Sequence, residues 1–204
     1  RRGVDLAAGG IARERRPAAE QQVVGVARVG GRELARQSAE AQVEGMAALV
    51  KAGKIRHYGL SNESAWGVCE FRRVARELGV PGPVTLQNSY SLVSRGVDND
   101  LAETLFRESM SLLAYSPLAG GMLSGKYVGG AQPPQSRYAL FDGLGMRFRK
   151  PIVHEAVAAY VDLARRLGMT PTQLALGYVK SRWFVGASLI GATAAELVFT
   201  SGAT

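Results

Sequence analysis

Ala114-Tyr115-Ser116-Pro117-Leu118-Ala119-Gly120-Gly121-Met122-Leu123-Ser124-Gly125-Lys126-Tyr127 reads as a strand that empties into a ligand-facing loop. The run from Leu112 to Tyr115 has strand character, and the Pro- and Gly-rich stretch behind it ends on a lysine. Glycines at 120, 121 and 125 permit close backbone approach and unusual dihedrals, while Lys126 supplies a counter-charge. A barrel strand presents its backbone to a phosphate-bearing ligand in this way. Gly-rich loops with a lysine are common, however, so the stretch acquires meaning only from its surroundings.

Those surroundings alternate cleanly from Ala41 onward. A helix is expected over Ala41 to Ala52, stopped by Gly53, then a short strand from Ile55 to Leu60. A helix from Ser64 to Leu78 would place Val68, Phe71, Ala75 and Leu78 on one face, with Cys69 a small core residue of the same helix. Strand Pro83 to Gln87, helix Asp98 to Ser109 and strand Ser111 to Tyr115 follow, then a long loop from Ser116 to Lys150. Val157, Tyr160, Val161, Ala164 and Leu167 form an amphipathic stripe. Thr170-Pro171-Thr172-Gln173 combines a capping box with proline at the first helical position, so another helix runs from there to about Arg182. Val185 to Ile190 is the last strand.

Strand–helix alternation with short connections implies parallel βα units. Four strands from Ile55 onward cannot close an eight-stranded (β/α) barrel, which takes about 250 residues. The expected fold class is therefore α/β, a partial (β/α)8 TIM barrel with four parallel βα units making up its carboxy-terminal half.

Three further blocks stand in order around the opening stretch: Gly59-Leu60-Ser61-Asn62, Val84-Thr85-Leu86-Gln87-Asn88-Ser89-Tyr90 and Leu189-Ile190-Gly191-Ala192-Thr193. Taken together, the four blocks resemble the aldo-keto reductases, in the branch of Tas-type reductases and potassium-channel β-subunits, over about residues 41 to 197. The resemblance implies NADP(H) as cofactor and reduction of small aldehydes or ketones in the intact enzyme. It implies that Ser61, Asn62 and Gln87 hold the nicotinamide carboxamide and that the ring stacks on Tyr115. It sets Ser116, Leu118, Gly120, Lys126 and Arg137 around the pyrophosphate, with Gly191 and Thr193 opening the grip on the 2′-phosphate. Four of these have plainer alternatives: Asn62 as a helix N-cap before Glu63, Tyr115 as a buried strand tyrosine, Lys126 and Arg137 as surface charges.

The same resemblance exposes what the chain lacks. The family's Gln, Glu and Asn beyond the 2′-phosphate motif are replaced by Ala194-Ala195-Glu196-Leu197 and the residues after it, which puts the NADP preference in doubt. Its acid–base group of Asp, Tyr, Lys and His belongs to earlier strands. His57 and His154 occupy neither the right strand nor the right place, and read as structural or solvated. No catalytic residue is therefore assigned. A truncated reductase, a non-catalytic nucleotide-binding or regulatory module, and an inactive pseudogene product all fit.

Composition narrows the remaining classes. The chain has 204 residues, 47% of them hydrophobic, no run long enough for a membrane span and no signal-peptide pattern. One cysteine suits a reducing cytoplasm, and no metal-ligand spacing is evident. The net charge of +8 would suit nucleic acid, but residues 1 to 36 hold eight arginines against four acids, and the other basic residues scatter along helix faces. A small carbonyl compound is the expected partner, with neither nucleic acid nor membrane. Residues 1–40 lack Phe, Tyr and Trp and show little periodicity, so they are expected to be degenerate or poorly ordered, either frame-shifted coding or a natural extension. Residues 41–204 then form the NADP-binding half-barrel.

Overall fold

The computed structural model describes residues 26–28, 38–141 and 145–190. Most of the amino-terminal segment, including its expected lack of packing, lies outside these residues. Among the described residues, five strands and six α-helices follow in chain order: β1 (Val26–Arg28), α1 (Ala39–Lys51), β2 (Gly59–Ser61), α2 (Ala65–Glu77), β3 (Thr85–Ser89), α3 (Leu101–Arg107), β4 (Ser111–Tyr115), α4 (Arg137–Leu140), α5 (Pro151–Arg166), α6 (Pro171–Lys180) and β5 (Val185–Leu189). The four expected strands are all present and all parallel. Strand β1 adds a fifth, parallel to β2, in a segment whose sequence carried no strand signal.

The strands lie in the order β1-β2-β3-β4-β5. Sequential order is decisive for the architecture. Parallel crossovers are right-handed, so an order that never reverses puts every crossover helix on one face of the sheet. Doubly wound sheets reverse their order at a switch point; (β/α) barrels do not. The sheet is an arc of the second kind.

Local chemistry explains the helix boundaries. Ser38 Oγ accepts from Ala41 N at 3.3 Å to start α1, and Ser64 Oγ accepts from Gly67 N at 3.1 Å to start α2. Thr170 and Gln173 close the expected capping box on α6, with Pro171 in its first turn. The helix expected from Asp98 begins later, at Leu101, after a separate turn over Gly96–Asp98. Asp98 cannot cap it because its carboxylate accepts from Tyr90 Oη at 2.7 Å and Arg95 Nε at 2.8 Å. Likewise, β2 starts at Gly59 rather than Ile55, since the basic residues Lys54, Arg56 and His57 stay exposed.

Two apolar clusters hold the fold. The larger joins Leu60, Leu86, Leu112 and Ala114 of the sheet to Val68, Phe71 and Val74 of α2, Leu105 of α3 and Val179 of α6. Burying one such Leu side chain contributes about 1.5–3 kcal/mol. The period-two alternation of β4 is plain: Leu112 and Ala114 are buried against helices, while Leu113 and Tyr115 face the half-open inner side. The smaller cluster packs Met122, Leu123, Tyr127, Tyr138 and Phe148 of the post-β4 segment against Val157 and Ala175. That segment, read from sequence as one loop, is built of short helical turns and α4. Three expected core positions turn outward. Leu78 and Leu167 sit at helix ends beyond the packed stripe, and Cys69 lies on the side of α2 opposite Val68, Phe71 and Ala75.

Candidate functional site

The carboxyl ends of β2, β3 and β4 bring the expected nicotinamide residues together. Ser61, the last residue of β2, pairs with Gln87 two residues before the end of β3, and Ser89 pairs with Tyr115 where β3 and β4 end together. Ser61 is buried, and its Oγ accepts from Asn62 Nδ2 at 3.2 Å. Asn62 N donates to Gln87 O at 3.0 Å, which continues the β2–β3 ladder one residue past the strand. The Tyr115 hydroxyl donates to Asn62 Oδ1 at 3.2 Å. Asn62 is not an N-cap: Ser64 caps α2, two residues later, leaving the Asn62 amide at the sheet end. Amide and hydroxyl groups of this kind suit a neutral donor–acceptor ligand such as a carboxamide.

Backbone conformations at these ends are unusual. Asn62, Ser116 and Ala119 have φ of 58°, 55° and 50°, in the left-handed region that non-glycine residues seldom occupy. Each such residue costs about 1–3 kcal/mol and persists only where its surroundings hold it. Gly120, with φ of 68°, has a second reason to be glycine, because a Cβ there would overlap Tyr138 Oη. Tyr138 in turn donates to Ala119 O at 3.1 Å and locks the loop against α4. Burial raises the Tyr138 phenol above its ordinary range, helped by Tyr127 beside it, while the charges of Arg149, Arg137 and Arg147 pull the other way.

A cavity of about 360 Å³ opens between the loop and the segment that follows it, lined by Ser116, Gly120 and Arg137 together with Tyr138, Arg147 and Phe148. Three residues expected at a pyrophosphate therefore meet in one cavity. Leu118 is half-buried against the smaller apolar cluster and supports the loop from below. Lys126 does not line the cavity. Its exposed side chain folds back against Gly121, where a Cβ would sit 3.0 Å from Lys126 Cε, and its Nζ lies 5.2 Å from the Tyr127 ring centre. Gly191 and Thr193 lie outside the described residues. Sequence reading missed Arg147, whose guanidinium donates to Tyr115 Oη at 3.4 Å and lies 5.5 Å from the centre of that ring. The alternating basic and aromatic run Arg147-Phe148-Arg149 was the available signal.

His57 and His154 are both exposed. Among the described residues no three His, Cys, Asp or Glu side chains cluster as a metal site would require, and no helix is long and apolar enough to cross a membrane.

A sheet of sequentially ordered parallel strands is the arrangement of a (β/α) barrel, the class of protein whose ligand sites lie at the strand carboxyl ends. The chain belongs to the aldo/keto reductase family, whose model matches residues 20–199. It is 43% identical over 159 residues to Protein tas of Escherichia coli (strain K12), covering 78% of this chain and 46% of that protein. It is 36% identical over 158 residues to an aldo-keto reductase of Babesia bovis, covering 75% and 55% of the two chains. A probable voltage-gated potassium channel subunit beta of Arabidopsis thaliana is 32% identical over 157 residues, covering 76% of this chain and 48% of its own length. The chain thus spans about half the length of these relatives. Its strands form an arc of the family's (β/α)8 barrel.

Proposed function

We propose that this chain carries the nicotinamide-nucleotide-binding face of an NADPH-dependent oxidoreductase that reduces aldehydes or ketones. The observation that carries the reading is the convergence of Ser61, Asn62, Gln87 and Tyr115 in the carboxyl halves of three adjacent strands, beside a cavity lined by Arg137 and the strained Ser116–Gly120 backbone. The donor set fits the group: neutral amides and a hydroxyl for a carboxamide, an aromatic face for a ring, and a guanidinium for phosphate oxygens.

The bound nucleotide would supply the hydride. The residues of this chain would orient it. Asn62 and Gln87 would hold the carboxamide through their side-chain amides, with Ser61 steadying Asn62 from its buried position. Tyr115, its hydroxyl tied to Asn62, would present its ring as a stacking platform and leave the other face of the nicotinamide open. Arg137 would take the pyrophosphate across the cavity. Proton transfer to the carbonyl oxygen needs an acid that we assign to none of these residues, so the chain as given should bind nucleotide without turnover, like a regulatory module. The incomplete 2′-phosphate motif beyond Gly191 and Thr193 should also narrow the preference for NADP over NAD.

Quenching of NADPH fluorescence by the purified chain tests the reading. Arg137→Ala should weaken binding by roughly 10- to 150-fold, the equivalent of a charge-assisted contact of about 1.5–3 kcal/mol. Absence of NADPH binding by the wild-type chain would refute it.

A further inference from the structure

Six of the described arginines have carboxylate partners. Arg72, Arg73, Arg76, Arg95, Arg107 and Arg165 each lie within 4.0 Å of an Asp or Glu oxygen. The three around Tyr138 do not. Arg137 and Arg147 line the cavity, Arg149 lies 4.7 Å from the Tyr138 ring centre, and among the described residues no carboxylate pairs with any of them. Arg149 Nη2 is buried and has no hydrogen-bond partner. Three cations held about one tyrosine repel one another, and an anion with several oxygens would relieve them all.

Arg147 has a second feature. Its guanidinium rests on aromatic surface, 5.5 Å from the Tyr115 ring centre and 4.6 Å from that of Phe148, and its hydrogen bond to Tyr115 Oη is long at 3.4 Å. A neutral hydroxyl at that distance is a weak partner for a guanidinium; a phosphate oxygen is a strong one. The side chain is exposed.

We propose that Arg147 is the second guanidinium of a diphosphate site shared with Arg137, and that on binding the diphosphate it leaves Tyr115 and bares that ring for stacking. The inference rests on the nucleotide reading above and adds to it a coupling between the two ends of the ligand. An anion in the cavity removes the group that occupies the Tyr115 ring, so each part of the ligand strengthens the binding of the other. Arg149, fixed on Tyr138, contributes field rather than direct contact.

The test uses two probes that divide the ligand, inorganic pyrophosphate and 1-methylnicotinamide, followed by NMR titration, with NADPH fluorescence as a third measurement. Wild type should bind 1-methylnicotinamide several-fold more tightly when pyrophosphate is present. In Arg147→Ala this enhancement should vanish, while NADPH affinity falls roughly 10- to 150-fold. Arg147→Lys should retain part of the pyrophosphate affinity. Unchanged NADPH affinity in Arg147→Ala, or an enhancement that survives in it, overturns the proposal while wild-type NADPH binding and its loss in Arg137→Ala leave the nucleotide reading standing. Failure of the wild type to bind NADPH overturns both.

Discussion

The Tyr115 hydroxyl donates a 3.2 Å hydrogen bond to Asn62 Oδ1, joining the end of β4 to the end of β2 across the end of β3. Residues 53 positions apart in sequence thereby share one surface. The bond is a neutral pair at an exposed edge, so it contributes orientation more than stability. Tyr115→Phe should alter unfolding free energy by no more than about 1.5 kcal/mol. Affinity for 1-methylnicotinamide should fall only a few-fold in Tyr115→Phe, and further in Tyr115→Ala, which removes the ring. Equal affinities for the Phe and Ala variants would show that the ring is not a stacking platform.

Gly120 should tolerate no side chain. Its φ of 68° and the Tyr138 hydroxyl against it predict a loss of about 1–3 kcal/mol for Gly120→Ala, read from urea denaturation. The double variant Gly120→Ala/Tyr138→Phe should recover part of the loss, because the phenylalanine lacks the overlapping oxygen. No recovery would assign the whole cost to the backbone.

The two faces of β4 should respond differently to truncation. Leu112 is fully buried against the helices, and Leu112→Ala should cost about 2–5 kcal/mol. Leu113 is only half-buried on the inner face and should cost far less. Similar losses for the two variants, measured by chemical denaturation, would mean that the inner face is packed in solution.

Acid should weaken the Tyr90–Asp98–Arg95 network. Burial alone would push the Asp98 carboxyl up, but hydrogen bonds from Tyr90 and Arg95, with the charges of Arg95 and Arg182, outweigh it and hold the group below its ordinary value. A depressed folded-state pKa contributes stability that is present above the unfolded value, about 3.9, and is lost as pH falls through the folded one. Wild type should therefore lose more stability than Asp98→Asn between about pH 5 and pH 3. Parallel pH profiles for the two proteins would show that the network contributes nothing.

Much of this fold was legible in the residues themselves. The capping box at Thr170 and Gln173, the glycine after α1 and the alternation of Leu112 and Ala114 with Leu113 and Tyr115 are local signals, and local hydrogen bonding and side-chain period are what they encode. The four sequence blocks named Ser61, Asn62, Gln87 and Tyr115, and the parallel register brings those four together. Tertiary structure alone decided the rest. It made Ser64 rather than Asn62 the cap of α2, turned Cys69 to solvent, added β1 and folded Lys126 away from the cavity. It also brought Arg147 onto Tyr115 across 32 residues. Contacts of that kind depend on which surfaces meet once the strands are paired, and the cost of closing such a loop leaves no periodic mark on the chain.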